Sequence, residues 1–172
     1  MGGRPTTRIL GIDPGSRATG FGVIDAAGQV ARVVDHGVIR VPGDLALAER
    51  LSHLYRELGT VLERHDPDEV AIEEVFTSRN ARSALVLGQA RGVLLLAAGE
   101  RCAVHEYAAR AVKKAVAGYG QADKQQMVRM VQALLDLARP PAQDAADALA
   151  IALCHAQSRM LRRRLEAAGV TP

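Results

Sequence analysis

Arg8-Ile9-Leu10-Gly11-Ile12-Asp13-Pro14-Gly15-Ser16 is a short apolar run that ends on a carboxylate and passes at once into a Pro-Gly turn. An apolar run of this length bounded by turn residues is a buried strand. Its C-terminal tip carries Asp13, and open α/β sheets keep their ligands at that end of their strands. Asp-Pro-Gly is also ordinary turn chemistry, so the stretch establishes a strand before it establishes a role for the acid.

Downstream, Gly15-Ser16-Arg17-Ala18-Thr19-Gly20 leads to a second apolar run over 21–25, and Ala26-Ala27-Gly28-Gln29 turns the chain into a third strand over 30–41. Closely spaced strands with turns between them form an antiparallel meander, which Pro42-Gly43 ends. Asp44 is expected to cap a helix in which Leu47, Leu51, Leu54, Leu58, Val61 and Leu62 keep helical spacing. A fourth strand covers 69–76, and Ser78 is placed to cap a long apolar helix over 81–100. A short strand over 103–106 follows, then helices over 108–116 and 124–138, the second capped by Asp123. Beyond Arg139-Pro140-Pro141 a last helix runs over 144–168. Right-handed crossovers make strands four and five parallel to strand one. The expected fold is α/β and ribonuclease-H-like: a mixed five-stranded sheet, three strands in a meander and two parallel, with helices on both faces. Asp13 and Glu73 then lie near the same edge of neighbouring strands.

The bulk numbers bound the reading. A chain of 172 residues with 48% hydrophobic content suits one domain with a real core, only 1–7 and 169–172 being loose. The N-terminus lacks the apolar core of a secretory signal, and apolar runs such as 93–98 are far short of a membrane span. Cys102 and Cys154 are too few for a disulfide framework and fit small core residues in a reducing cytosol. A net charge of +3 favours an anionic partner only weakly. The distribution carries more: 19 of the 22 basic side chains are arginine, and the three lysines, Lys113, Lys114 and Lys124, fall within a dozen residues. Either they share a solvated face by chance or that region needs compact, mobile ammonium groups.

Three further acids can join Asp13. Asp144 and Asp147 are three apart, hence on one helical face, and that face continues into Ile151 and Cys154. The two acids begin a stripe that otherwise points at the core, a poor place for an unpartnered charge. They also lie in the first turns, where the macrodipole favours anions, so charge decoration of a helix start is the plainer alternative. Glu73 and Glu74 alternate across their strand, and spacing alone leaves open which one faces the site. Two unit charges about 4 Å apart repel by roughly 4 kcal/mol at an effective dielectric near 20. Four gathered carboxylates therefore call for divalent cations, and all-oxygen ligands select Mg²⁺ or Mn²⁺ over zinc. Two such ions, ~3.5–4 Å apart, can stabilise the attacking and leaving oxygens of phosphodiester cleavage. The five histidines show no paired zinc-ligand spacing.

The blocks 9–22, Ala71-Ile72-Glu73-Glu74-Val75-Phe76, Leu87-Gly88-Gln89-Ala90-Arg91-Gly92, Tyr107-Ala108-Ala109-Arg110 and Asp144-Ala145-Ala146-Asp147-Ala148-Leu149-Ala150 resemble, in order, those of the bacterial RuvC Holliday-junction resolvases. The resemblance spans most of 8–155. It implies a homodimeric, metal-dependent endodeoxyribonuclease that resolves four-way DNA junctions in recombination and repair. Two strands of like polarity are nicked symmetrically and left ligatable. By position it makes Asp13, Glu73, Asp144 and Asp147 the catalytic, metal-binding acids, choosing Glu73 over Glu74. It matches Phe76 to an aromatic wedge at the junction and Lys113 and Lys124 to basic positions near DNA, with Lys114 and Arg79 beside them. It also implies two Mg²⁺ or Mn²⁺ ions per site, a branch-migration motor as partner, no membrane, and work in the cytoplasm at the nucleoid. Two features depart from the pattern: the residues before Arg8, and His105-Glu106 in place of an apolar-acidic pair.

Gly88 and Gly92, four apart on an apolar helix, permit a close approach, either across a dimer interface or onto the chain's own sheet. Asp13-Pro14-Gly15-Ser16 with Gly20 and Gly22 also resembles the first phosphate loop of actin-like ATPases and sugar kinases. Those need two such halves, and 172 residues leave no room for the second. A junction-binding protein without catalysis is the remaining alternative, and it leaves all four acids unexplained.

Overall fold

The computed structural model describes residues 6–74 and 80–169. Strand β1 (Thr7–Asp13) pairs antiparallel with β2 (Ala18–Ala27), and β2 with β3 (Val30–Arg40). Helix α1 (Leu47–His65) crosses to β4 (Glu69–Glu74), parallel to β1; α2 (Ala81–Gly99) crosses to β5 (Ala103–Ala108), parallel to β4. Helices α3 (Ala109–Ala117), α4 (Lys124–Leu134) and α5 (Gln143–Ala167) complete the chain. The sheet order is β3-β2-β1-β4-β5, the expected meander with two parallel strands added at one side.

Alternation along the strands divides the core in two. Leu10, Ile12, Val23, Val70 and Ile72 face α1 and α2, where Leu54, Leu58, Leu62, Ala90 and Leu94 cover them. Ile9, Ile24 and Ala71 face the other way, against α3, α4 and the alanine-rich α5. α5 lies almost on the backbone of β1 and β2. A Cβ at Gly11 would stand 2.0 Å from the Ala148 carbonyl oxygen, and one at Gly20 would stand 1.9 Å from that of Asp144. Hydrogen there is the only side chain that admits the helix.

Several boundaries depart from the sequence expectation. β1 begins at Thr7, which is buried and paired with Ala26, so the ordered chain starts earlier than expected. β2 is about twice as long as its apolar run, because pairing with β1 and β3 carries it through polar positions. α1 is capped at Ala46, whose N–H donates to Glu49, and Asp44 lies outside the helix. α2 is capped by Asn80, whose side chain accepts from the Arg82 N–H; the expected cap, Ser78, falls outside the described residues. Asp123 caps α4 as expected, in a reciprocal box with Gln126. α4 stops at Leu134 rather than 138, and Asp136 takes a left-handed conformation that turns the chain toward the prolines.

α2 is the one described helix long and apolar enough to cross a membrane, yet Ala90, Leu94, Ala97 and Ala98 bury one face of it in the core. Its outer face carries Leu85 and Leu96, both more than half exposed, and Gly88 and Gly92, at which an added Cβ would meet nothing within 4 Å. Packing among the described residues therefore does not require either glycine. Cys102 and Cys154 are unpaired, the latter buried.

Candidate active site

β1 delivers Asp13 and the Pro-Gly turn releases the chain behind it. Thr19 ties that turn: its hydroxyl donates to the Gly15 carbonyl at 2.9 Å and accepts from the Gly15 N–H at 3.3 Å. Ile12 is level with Ile72 in the parallel ladder, so Asp13 and Glu73 are the next residues on adjacent strands. Both point to the α5 side, whereas Glu74 points to the opposite face. The Arg91 guanidinium, from α2, donates to the Glu73 carbonyl at 2.9 Å and pairs with Glu106, which holds the end of β4 in place. The sequence offered Arg91 only as part of a matched block; its anchoring role needs the fold.

Because α5 approaches β2 so closely at Gly20, its first turns stand over the tips of β1 and β4. Asp147 joins Asp13 and Glu73 in the lining of a cleft of about 320 Å³, with Lys113 of α3, Lys124 of α4, Ala109, Val112, Met127 and Ile151. Asp144, one turn before Asp147, is half-buried, and its charge acts on both Asp13 and Asp147. Three of the four acids singled out from the sequence thus line one cleft, and the fourth, Asp144, lies near enough for its charge to act on two of them.

The electrostatics follow from that convergence. Burial, then the charges of Asp147 and Glu73, push the Asp13 carboxyl up to about 8, and it shares a hydrogen bond with Glu73. Burial also raises Glu73, against the pull of the Asp13 hydrogen bond and of Lys113 and Lys124. Asp147 is raised by burial, with Lys124 and Lys113 opposing and Asp144 adding. Without a cation the cluster keeps a proton, the alternative to mutual repulsion. Among the described residues no histidine or cysteine lines the cleft, so its ligand-type donors there are carboxylate oxygens, the set that suits hard divalent ions. The residues present fit such ions.

Lys113 and Lys124 face the acids, but Lys114 is exposed outside the cleft lining. Phe76 and Arg79 lie outside the described residues. His105 is away from the acids: it neighbours Glu69 and His155 at the other end of β4.

The family model described as "Crossover junction endodeoxyribonuclease RuvC" matches residues 9–155. Crossover junction endodeoxyribonuclease RuvC of Marinobacter nauticus is 52% identical over 162 residues, covering 94% of this chain and 92% of that protein. The protein of the same name from Halorhodospira halophila is 53% identical over 154 residues, covering 89% and 92%. Among solved structures, Thermus thermophilus RuvC in complex with a Holliday junction substrate superposes with a TM-score of 0.84 at 35% identity, covering 90% of this chain and 96% of that one.

Proposed function

The chain belongs to the crossover junction endodeoxyribonuclease RuvC family, and from that premise we propose that it resolves Holliday junctions through the cleft around Asp13. The observation that carries the assignment of the site is the gathering of Asp13, Glu73 and Asp147, with Asp144 beside them, under two lysines. The family works with divalent metal; the four carboxylates would hold two Mg²⁺ or Mn²⁺ ions, which would supply a water of lowered pKa and charge balance for a departing 3′ oxygen.

The chain's own groups do the rest. Asp13 gives up its shared proton on loading and then holds charge at the β1 tip. Glu73, fixed through its backbone by Arg91, sets the opposite wall. Asp144 and Asp147 close the site from a rigid helix, so the spacing of the four acids depends on how α5 sits on the sheet. Lys113 and Lys124 take the phosphates flanking the cut without reading sequence. Phe76 wedges against unstacked bases at the crossover, with Arg79 and Lys114 on the backbone nearby; these three assignments rest on family resemblance.

Symmetric cutting needs two sites, and the exposed apolar stripe Leu85, Gly88, Gly92, Leu96 of α2 supports a two-fold dimer built on that helix. The dimer acts in the cytoplasm at the nucleoid, beside a branch-migration motor. The test is Asp144→Asn assayed on a mobile four-way junction with Mg²⁺. Nicking should fall by at least about 10²-fold, the scale of losing one preorganised electrostatic contact in a transition state, while gel-shift affinity for the junction stays within a few-fold. Undiminished nicking would remove the assignment of these acids.

A further inference from the structure

A second cluster of ligand-type side chains lies on the same sheet face but at the start of β4. The Glu69 Oε2 is 2.5 Å from His155 Nε2 and 3.8 Å from His105 Nε2. One donor atom from each of the three lies within 4.8 Å of the others. Glu69 and Glu73 are four residues apart on one strand, roughly 13 Å at the rise of a β-strand, so one ion cannot serve both clusters.

Three observations distinguish this group from a plain ion pair. First, His155 is wholly buried, and its Nδ1 meets the Tyr107 hydroxyl at 2.7 Å. A hydrogen bond on the far ring nitrogen is what fixes a metal-ligating imidazole. Second, the Arg159 Nε donates to Glu69 Oε1 at 2.7 Å, which orients the carboxylate and leaves Oε2 to face both histidines. Third, the rings of His105 and His155 stack with centroids 4.4 Å apart, so two imidazoles present nitrogen to a single carboxylate oxygen.

We propose that Glu69, His105 and His155 form a second metal site, distinct from the acid cluster, that takes a zinc-type divalent ion with two imidazole nitrogens, one carboxylate oxygen and a water. The donor set is that of a three-ligand zinc site with an open fourth position. Tetrahedral ligands at 2.0–2.1 Å stand about 3.3 Å apart. The His155–Glu69 pair opens by less than an ångström, and His105, a third exposed, turns inward. Neutral His155 then carries its one proton on Nδ1 and donates to the Tyr107 hydroxyl oxygen. The two imidazole nitrogens select an ion that bonds strongly to nitrogen over a hard, oxygen-preferring one. The site joins α5 to β4 and β5 at the end of the sheet remote from the cleft.

The full chain is titrated with Co²⁺ in the presence of excess Mg²⁺, in parallel for wild type, Asp144→Asn, His105→Phe and Glu69→Gln. Wild type and Asp144→Asn should both take up one equivalent with the intense visible bands of four-coordinate cobalt; an all-oxygen six-coordinate ion absorbs only weakly. Zn²⁺ should raise Tm and displace the cobalt signal one for one. His105→Phe keeps the ring stack and replaces a partly exposed side chain, so its metal-free Tm should match wild type. It should bind Zn²⁺ at least about 10-fold more weakly, the lower end of the effect of disturbing a metal shell. If His105→Phe folds poorly, Glu69→Gln supplies the same comparison. Weak six-coordinate bands alone, or undiminished Zn²⁺ affinity in the ligand variants, would overturn the site. The outcome is independent of nicking, so the nuclease reading stands or falls separately.

Discussion

Asp13 shows what the fold does to a single residue. In the sequence it is a turn acid; in the structure burial and three neighbouring carboxylates hold its proton up to about 8. The unfolded chain loses that proton near the ordinary carboxyl value, whereas the folded, metal-free chain keeps it. Between pH ~4 and ~8 the folded state therefore binds more protons, and stability falls as pH rises through that window. The raised carboxyls of Glu73 and Asp147 act in the same direction. Asp13→Asn removes the largest share of this penalty. In EDTA at pH 8 the variant should melt roughly 4–10 °C above wild type, using ~2–4 °C per kcal/mol for a chain of this size. The gap should narrow toward pH 4. Saturating Mg²⁺ should raise wild type and leave the variant nearly unmoved, since an ion that binds only the folded state stabilises it. Equal melting of the two at pH 8 would mean that the acids do not crowd one another.

At the scale of elements, the contact of α5 with β1 and β2 sets the site. Gly20 meets the carbonyl of Asp144 itself, so any side chain there displaces the turn that carries the acid. Gly20→Ala should cost about 1–3 kcal/mol by overpacking. It should also reduce nicking by about 10²-fold, the scale of a 1 Å misplacement of a catalytic group. Gly59→Ala, in the middle of α1 with nothing within 4 Å of the new methyl group, is the matched control. It should gain up to about 1 kcal/mol from helix propensity and leave nicking unchanged. Denaturant melts and junction nicking on the two variants separate helix placement from a general effect of losing a glycine. The element boundaries were legible wherever the local signal was local physics: Asp123 capping α4, the Pro-Gly ends of β1 and β3, the helical spacing of α1. They were not legible where partners decide. β2 and β5 extend past their apolar runs because neighbouring strands supply hydrogen bonds, and α1 is capped from within by Glu49 rather than by the nearby Asp44.

At the scale of the whole molecule, the mixed sheet separates two jobs. One face, under α1 and α2, is core followed by an outward apolar stripe; the other, under α3, α4 and α5, carries every acid and lysine of the cleft. If α2 forms the two-fold contact proposed above, Leu85→Glu should convert dimer to monomer in sedimentation velocity. Because Leu85 is 64% exposed, the fold itself should change by no more than about 0.5 kcal/mol. Paired cutting of the junction should then give way to single nicks. A variant that stays dimeric would place the contact elsewhere.

The order of elements, the strand that ends on Asp13, the helical face shared by Asp144 and Asp147 and the clustering of the three lysines were all determined by the sequence, because each depends on residues close together in the chain. Family resemblance singles out Glu73, Lys113 and Lys124, but it is tertiary structure that turns Glu73 rather than Glu74 into the cleft, points Lys113 and Lys124 toward the acids while Lys114 stays outside, and brings His105 to Glu69 and His155. Those choices depend on which sheet face a long helix covers and on how near it comes, and that is set by packing between segments up to 141 residues apart, Gly11 against Ala152.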